Sequence, residues 1–248
     1  MAYQSVFRRY ELKYMLTADQ KQKILSAIEP YMQLDDYGRT TIRNLYYDTD
    51  TYRLIRASIE KPVYKEKLRV RSYELATHDS KVFVEIKKKF KKVVYKRRVS
   101  LPENVAMTWL TEQNGHPETK KDQISNEIDY FLKYYSSLHP VVFLSYEREA
   151  YSTREPSDFR VTFDENILCR QTDLSLTSEA YGERVLDEGL TLMEIKCSGG
   201  IPLWMIEVLS REKIYKTSFS KYGTAYKNLI MPKLSHPPIA VPEEASIV

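Results

Sequence analysis

The sequence predicts an α+β protein built on a closed eight-stranded antiparallel β-barrel that forms a tunnel, with helical insertions and a C-terminal plug helix. Two observations lead to this prediction. Segments in which charged and apolar residues alternate recur along the 248-residue chain, and a period of two is typical of β-strands. Many of these segments follow one another without a long helix between them, which is typical of antiparallel sheets that close on themselves.

The first half of the chain is predicted to supply most of the strands. Residues 7–15 alternate between charged and apolar side chains, and Thr17 then caps a helix over 18–31 with an apolar stripe at Ile24 and Ile28. A strand at 41–47 and a short helix at 51–60 follow. Further strands are predicted at 63–75, 81–90 and 92–101.

The second half adds an insertion and the remaining strands. Residues 104–138 read as two helical pieces around the polar segment 113–122, and strands are predicted at 140–152, 158–168 and 190–198. A final helix begins near Pro202, a residue favoured in the first turn, and continues to about residue 213, where we expect it to plug the barrel. We interpret 1–231 as one domain and the proline-rich 232–248 as a flexible tail.

Positive charge is concentrated in one part of the chain. Residues 61–98 contain fourteen Lys and Arg against four acidic residues, although the whole chain has a formal net charge of only +4. Lys65, Lys67, Arg69 and Arg71 share one strand face. Such faces could simply meet water, but Lys and Arg dominate them on strand after strand, which favours a tunnel lined by cations. Because the charge is local, a defined anion site is expected rather than specific nucleic-acid binding.

Other classes of protein find little support in the composition. Two cysteines, Cys169 and Cys197, suggest neither a disulfide framework nor a zinc site, and a cytoplasmic protein is the expectation. The first residues do not resemble a secretory signal, and no apolar run is long enough to span a bilayer. A glycine-rich phosphate loop is also missing from the sequence.

Eight short motifs occur in a characteristic order. They are Arg-x-Glu-x-Lys at 9–13, Leu-Tyr-Tyr-Asp-Thr at 45–49, Arg-Val-Arg at 69–71, Val-Glu-Ile-Lys at 84–87, Tyr-Glu-Arg at 146–148, Phe-Arg-Val at 159–161, Met-Glu-Ile-Lys at 193–196 and Ser-Lys-Tyr at 220–222. On alternating strands and in this order, they resemble the triphosphate tunnel metalloenzyme superfamily and, within it, the VTC domain, a polyphosphate polymerase module. The resemblance covers roughly residues 5–228.

The resemblance implies that inward basic residues hold a nucleoside triphosphate or polyphosphate. The catalytic cations that it implies are Lys13, Arg69, Arg71, Lys87, Arg148, Arg160 and Lys221, and the further substrate-binding residues are Arg9, Lys96, Arg98 and Lys196. Glu194 would hold Mn²⁺ or Mg²⁺, because hard carboxylate oxygens suit these ions, although an ion pair with Lys196 is the structural alternative. Glu11 would be a second metal ligand or an organiser of neighbouring cations.

The activity that the resemblance implies is metal-dependent transfer of the γ-phosphoryl group of ATP, or a related nucleotide, onto a polyphosphate chain. Hydrolases and cyclases of the superfamily typically open with Glu-x-Glu-x-Lys, and Arg9 replaces the first carboxylate here, which favours the polymerase. A triphosphate or tripolyphosphate hydrolase and a non-catalytic polyphosphate or inositol-phosphate binding module are the alternatives. Coupling to transport would require a separate membrane-protein partner. The sequence leaves the nucleotide, the product length and the oligomeric state open.

Overall fold

The computed structural model describes residues 10–91, 93–113, 115 and 122–235. Its strands are β1 Tyr10–Leu16, β2 Met32–Leu34, β3 Thr40–Asp48, β4 Tyr64–Tyr73, β5 Lys81–Phe90, β6 Val93–Pro102, β7 His139–Thr153, β8 Arg160–Arg170, β9 Glu183–Arg184, β10 Thr191–Cys197 and β11 Lys216–Thr217. Its helices are α1 Ala18–Ile28, α2 Arg53–Ile59, α3 Glu103–Glu112, α4 Gln123–Tyr135, α5 Leu203–Arg211, α6 Lys221–Ala225 and α7 Met231–Ser235, with a π-helical turn at Tyr226–Ile230. The α+β class is therefore confirmed.

All described strands belong to one antiparallel sheet, but hydrogen bonds do not close it. The strand order is β11-β1-β10-β8-β7-β3-β4-β5-β6, with β2 paired to β7 and β9 paired to β8. Among the described residues β6 and β11 are edge strands, so the closed barrel that we predicted is not confirmed. Instead, a side-chain contact joins the two strands that lie next to these edges, because Lys87 Nζ on β5 lies 3.3 Å from Glu11 Oε2 on β1. The sheet is thus curled around a charged inner face.

Helices α1 and α5 cover the outer face of β1, β8 and β10. Ile24 of α1 and Met205 of α5 are fully buried in one cluster with Val161 and Ile195. The helix predicted near 202–213 is therefore not a plug. Its apolar stripe requires an apolar surface, and on β10 that surface is the face opposite the charged Glu194.

Helices α3 and α4 cover the outer face of β4, β5 and β6. Trp109 and Phe131 pack there against strand residues such as Leu68 and Val84, which are fully buried. These are the two helical pieces predicted within 104–138. Because these two pairs of helices cover the apolar outer face of different strands, the polar residues of the same strands point inward.

The C-terminal segment 221–230 fills one end of the inner space. Tyr222 is buried, and its ring stacks on Tyr46 of β3 with ring centroids 4.7 Å apart. The Tyr222 hydroxyl donates a hydrogen bond to Asp48 Oδ2 at 3.1 Å. Asp48 also accepts from the backbone N–H groups of Leu54 at 2.8 Å and Ile55 at 2.9 Å, which are otherwise unpaired donors in the first turn of α2. A plug therefore exists, but a later segment than predicted supplies it.

Candidate functional site

The inner face of the sheet concentrates charged side chains because alternate residues of seven strands, β1, β4 to β8 and β10, point to it. Four carboxylates on this face, those of Glu11, Glu85, Asp164 and Glu194, contact eight cations. These cations are Lys13, Arg69, Arg71, Lys87, Lys96, Arg148, Lys196 and Lys221. Each of the eight was predicted to bind substrate, and the structure brings all of them to one surface, which we call the basic face.

Asp164 anchors the centre of the basic face. Arg148 donates to it through both arms of a fork, with Nε 2.6 Å from Oδ1 and Nη2 2.7 Å from Oδ2. Lys221 Nζ, from the start of α6, donates to Oδ2 as well. Asp164 is completely buried, and burial opposes its ionisation, but Arg148 and Lys221 outweigh that effect and hold the pKa of the carboxyl below its usual value.

Glu194, the predicted metal ligand, lies among four cations. Lys13 Nζ is 3.0 Å from its carboxylate, and the side-chain nitrogens of Lys196, Lys221 and Arg148 are 3.5, 3.6 and 3.8 Å away. Burial of the side chain works against the charged form, yet these neighbours hold the pKa of Glu194 well below its usual value. The group is therefore a carboxylate at neutral pH, and both of its oxygens contact cations.

Glu85 organises a second group of cations on β4 and β6. It is almost fully buried; Arg69 donates from Nε at 2.9 Å and Lys96 Nζ lies 2.5 Å from the carboxylate, while Arg71 Nε is 4.0 Å away. Despite burial, these three cations lower the pKa of Glu85. Burial lowers the pKa of Lys96 to about 8, and repulsion from Arg69 and Arg71 acts in the same direction. The attraction of Glu85 raises this pKa but only partly offsets the effect of burial.

Glu11 connects β1 to β5 across the inner face of the curled sheet. Its carboxylate lies 3.5 Å from Lys13 Nζ on its own strand and 3.3 Å from Lys87 Nζ on β5. Burial raises the pKa of Glu11, but Lys87 and Lys13 reverse the direction and bring it down to about 2. Of the two roles predicted for Glu11, these contacts fit an organiser of cations.

Tyr146 is a further buried polar group of the basic face. Arg71 Nη2 donates to its hydroxyl at 3.1 Å, and the charged ends of Lys221 and Arg148 lie 4.4 and 5.1 Å from the ring centroid. Burial opposes ionisation of the phenol, but Arg148, Arg71 and Lys221 reverse that effect and lower its pKa to about 8. Cations on three elements are therefore held against one ring.

Lys67 is a cation of the basic face that our site prediction omitted, as it also omitted Glu85, Asp164 and Tyr146. It shares the inward positions of β4 with Arg69 and Arg71, but its contacts in the described chain are Ser220 Oγ at 3.3 Å and the Tyr222 ring, 5.7 Å from the centroid. Neither is a carboxylate. Burial and the nearby cations Lys87, Lys65, Lys13 and Arg69 lower its pKa to about 7. The alternation on β4 could have identified it, because Lys67 shares the face of Arg69.

Three predicted site residues are not part of the charged cluster. Arg160 begins β8, its side chain is 49% exposed, and it donates to Asp35 Oδ2 at 2.7 Å. Arg98 is exposed on the edge strand β6, where its guanidinium lies 4.7 Å from the centre of the Phe83 ring. Arg9 lies outside the described residues, as does the predicted tail beyond residue 235.

The protein alone offers few ligands for a divalent cation. Among the described residues, no group of three or more His, Cys, Asp or Glu side chains could hold a metal ion. Glu194 fits as a single carboxylate ligand, and its four cationic neighbours would disfavour a bare metal ion. Mg²⁺ commonly binds through one or two carboxylates together with substrate phosphates, so a metal that arrives with a phosphate chain matches this donor set.

The fold resembles solved structures over most of its length. A protein from Bacillus halodurans, provisionally described as an adenylate cyclase, superposes with a TM-score of 0.52 at 14% identity over 87% of this chain and 94% of its own. A Hippeastrum protein, provisionally described as an adenylyl cyclase with a dominant triphosphatase activity, gives a TM-score of 0.50 at 16% identity over 88% of this chain and 94% of its own. At these identities the likeness concerns the fold.

The fold and the basic face define an α+β protein whose antiparallel sheet curls around a cationic surface. The profile of the VTC domain matches residues 8–230, and the chain therefore belongs to the VTC domain family. The family resemblance of the sequence is thus confirmed. No curated protein matched the sequence. In the part of the chain that the structure describes, no helix has the length and apolarity needed to cross a bilayer.

Proposed function

We propose that the basic face binds the phosphate chains of ATP, or a related nucleoside triphosphate, and of polyphosphate, and transfers the γ-phosphoryl group from the nucleotide to the growing chain. The observation that supports this most strongly is the charge imbalance on the basic face, where eight cations share four buried or half-buried carboxylates. A polyanion with several phosphates would complete the charge balance of such a surface.

The four carboxylates preorganise the cations without neutralising them. Asp164 holds Arg148 and Lys221, and Glu85 holds Arg69 and Lys96, so that these long side chains need little reordering when substrate binds. Phosphoryl transfer depends mainly on positioning and on charge stabilisation in the transition state. A surface of preorganised cations meets both requirements.

Roles for individual residues follow from their chemistry. Arg69, Arg71 and Arg148 would clamp phosphate oxygens with the NH groups that their carboxylate partners leave free, since guanidinium matches phosphate geometry. Lys13 and Lys87, which flank Glu11, would neutralise the charge that develops during transfer. Arg160 and Arg98 would contact the chain only where it leaves the cluster, because both are exposed.

A divalent cation, Mn²⁺ or Mg²⁺, would be held by Glu194 together with phosphate oxygens. When bound, it would supply charge neutralisation between adjacent phosphates. Glu194 itself orients Lys13, Lys196 and Lys221 through its two oxygens. Its replacement by Gln should therefore affect both metal dependence and the positions of these lysines.

Hydrolysis of a triphosphate is the second candidate function. It is supported by the fold shared with the Hippeastrum protein, which is described as having a dominant triphosphatase activity. The same basic face would bind the triphosphate, and water would replace the polyphosphate end as acceptor. A binding module without turnover is the third candidate.

The direct test is incubation of the protein with ATP and Mn²⁺ or Mg²⁺, followed by separate measurement of polyphosphate and free phosphate. We expect long polyphosphate, and we expect Glu194→Gln to abolish its formation. A matched control is Glu207→Gln, because Glu207 is exposed on α5 outside the basic face. Free phosphate without polyphosphate would replace the polymerase with the hydrolase, and binding without either product would leave a binding module.

A further inference from the structure

Two arginines and one serine are buried on the opposite side of the sheet from the basic face. Asn44 of β3 points inward and accepts a hydrogen bond from Arg71, so its neighbour Arg43 points outward. Arg43 lies directly opposite Ser145 of β7, and Arg170 of β8 pairs with a residue two positions from that serine. All three side chains therefore share the outer face of three adjacent strands.

Arg43 is a buried cation with little negative charge close to it. Only 5% of the residue is exposed, and within the described chain its Nε and Nη1 atoms have no hydrogen-bond partner. The carboxylate of Glu179 lies 3.7 Å from Nη2, but that side chain is 78% exposed to water. Glu74 is the other acidic group near enough to act on Arg43.

Arg170 is held firmly by the segment 171–182, which covers it. Its Nε donates to the carbonyl of Asp173 at 3.0 Å, and Nη1 donates to the carbonyls of Glu179 at 3.0 Å and Tyr181 at 3.1 Å. The guanidinium also stacks 3.6 Å from the centre of the Phe143 ring. The Nη2 atom lies 3.4 Å from the Asp173 carboxylate, close enough for an ion pair, but it is buried and has no hydrogen-bond partner in the described structure.

Ser145 supplies a third unpaired group between the two arginines. It is 1% exposed, and its hydroxyl has no hydrogen-bond partner among the described residues. A buried donor that forms no hydrogen bond is costly, and the cost is larger for a charged guanidinium. Arg43, Arg170 and Ser145 therefore place on one patch several N–H and O–H donors for which the described residues offer no hydrogen-bond acceptor.

We propose that Arg43, Arg170 and Ser145 form a second anion site, separate from the basic face, that takes one small oxyanion of the size of inorganic phosphate or sulfate. Guanidinium forks and a hydroxyl match the oxygens of such an ion. The segment 171–182 contacts both arginines, because three of its carbonyls accept hydrogen bonds from Arg170 and its Glu179 lies beside Arg43, so the proposed ligand is a single phosphate or sulfate group. Glu179 is the internal competitor, because an incoming anion would displace its exposed carboxylate from Arg43.

The test uses the whole protein with the basic face first saturated by tripolyphosphate. Orthophosphate is then added at constant ionic strength, with chloride as the balancing anion, and its binding is measured by calorimetry and by the shift in Tm. We expect Ser145→Ala to weaken orthophosphate binding about tenfold, since a hydrogen bond to a charged partner is lost. We expect Glu179→Gln to strengthen it by about threefold or more, because it removes the competing charge.

The control variant is Ser72→Ala. Ser72 lies beside Arg43 on β4, but its hydroxyl already donates to the carbonyl of Glu74, so the substitution should leave orthophosphate binding unchanged. Crystals soaked in selenate, a sulfate analogue, should show selenium within hydrogen-bond distance of Arg43 and Ser145. The proposal is overturned if Ser145→Ala and Glu179→Gln bind orthophosphate as the wild type does, if chloride alone gives the same shift, or if selenate occupies only the basic face.

Failure of this second site and failure of the proposed function can be told apart. The first titration, with tripolyphosphate, reports on the basic face alone, and Ser145→Ala should leave it unchanged. If tripolyphosphate does not bind while orthophosphate binding still depends on Ser145, the proposed function is lost and the second site stands.

Discussion

Substitution of Lys67 by Met tests whether the basic face is poised to bind a polyanion. In the free protein, burial and four neighbouring cations bring the pKa of Lys67 to about 7, whereas the ordinary value is 10.5. A bound phosphate chain would place negative charge beside the ammonium and return its pKa toward the ordinary value. Binding should therefore take up a proton whenever the free lysine is partly neutral.

The expected magnitude follows from the protonated fraction of the free lysine. With a pKa of about 7 this fraction falls from about one half at pH 7 to about one thirtieth at pH 8.5, so the affinity should fall about fifteenfold over that range. The proton uptake on binding should be about half a proton at pH 7 and should approach one above pH 8. Lys96, with a pKa of about 8, would add a smaller dependence at the upper end.

Calorimetric titration with tripolyphosphate at pH 7.0 and 8.5, in buffers of different ionisation enthalpy, measures both quantities. Lys67→Met should remove most of the proton uptake and flatten the pH dependence of the affinity. The protons that tripolyphosphate itself takes up or releases on binding should be unchanged. Lys133→Met, on the exposed surface of α4, is the matched control and should behave as the wild type. A Lys67→Met protein that still takes up the same number of protons would refute this role for Lys67.

Three further substitutions and conditions test other parts of the structure. Asp164→Asn should destabilise the fold by about 3 kcal/mol in chemical denaturation, because it leaves the buried Arg148 and Lys221 without their full counter-charge, and a loss below about 1 kcal/mol would contradict this. Glu11, with a folded pKa of about 2 against an ordinary 4.5, stabilises the fold above pH 4.5 and loses this contribution as the pH falls toward 2, so Glu11→Gln should flatten the stability profile in that range. Gly182→Ala should lower stability by about 2 kcal/mol or more, because φ is +144° and a Cβ would lie 2.3 Å from the carbonyl oxygen of Cys169; an unchanged Tm would count against this geometry.

The sequence alone predicted most of the elements because their periodicity is local. Alternation located β3, β4, β5 and β10, and Thr17, which caps α1 with a hydrogen bond from the Gln20 N–H, marked the start of that helix. Strands β2, β9 and β11 are two or three residues long, too short to show a period, and they were missed. Such strands exist only because a neighbouring strand supplies partners.

The position of the plug depended on three-dimensional packing. Helix α5 has a strong apolar stripe, and for that reason we predicted that it would plug the barrel. It packs instead on the outer face of the sheet, against Val161 and Ile195. The segment 221–230 contains Lys221 and Tyr222, which meet Asp164 and Asp48 only after the sheet has curled. No spacing in the sequence reveals those long-range contacts.

The basic face was predictable strand by strand, but its internal contacts were not. The alternation placed Lys13, Arg69 and Lys87 on inward positions, and the structure brings them together. It did not separate Arg160, whose exposed guanidinium pairs with Asp35, from those cations. It also did not indicate that Lys67 would lack a carboxylate, because that depends on which acidic residues of other strands come near.

The most direct test of the central claim is a crystal structure of the protein with a non-hydrolysable nucleotide and Mn²⁺. The phosphates should lie along the inner face of β4, β5 and β7, with Lys67, Arg69 and Arg71 in contact and the metal ion between Glu194 and phosphate oxygens. A nucleotide bound on the outer surface, with the eight inward cations still paired only to their carboxylates, would contradict the account.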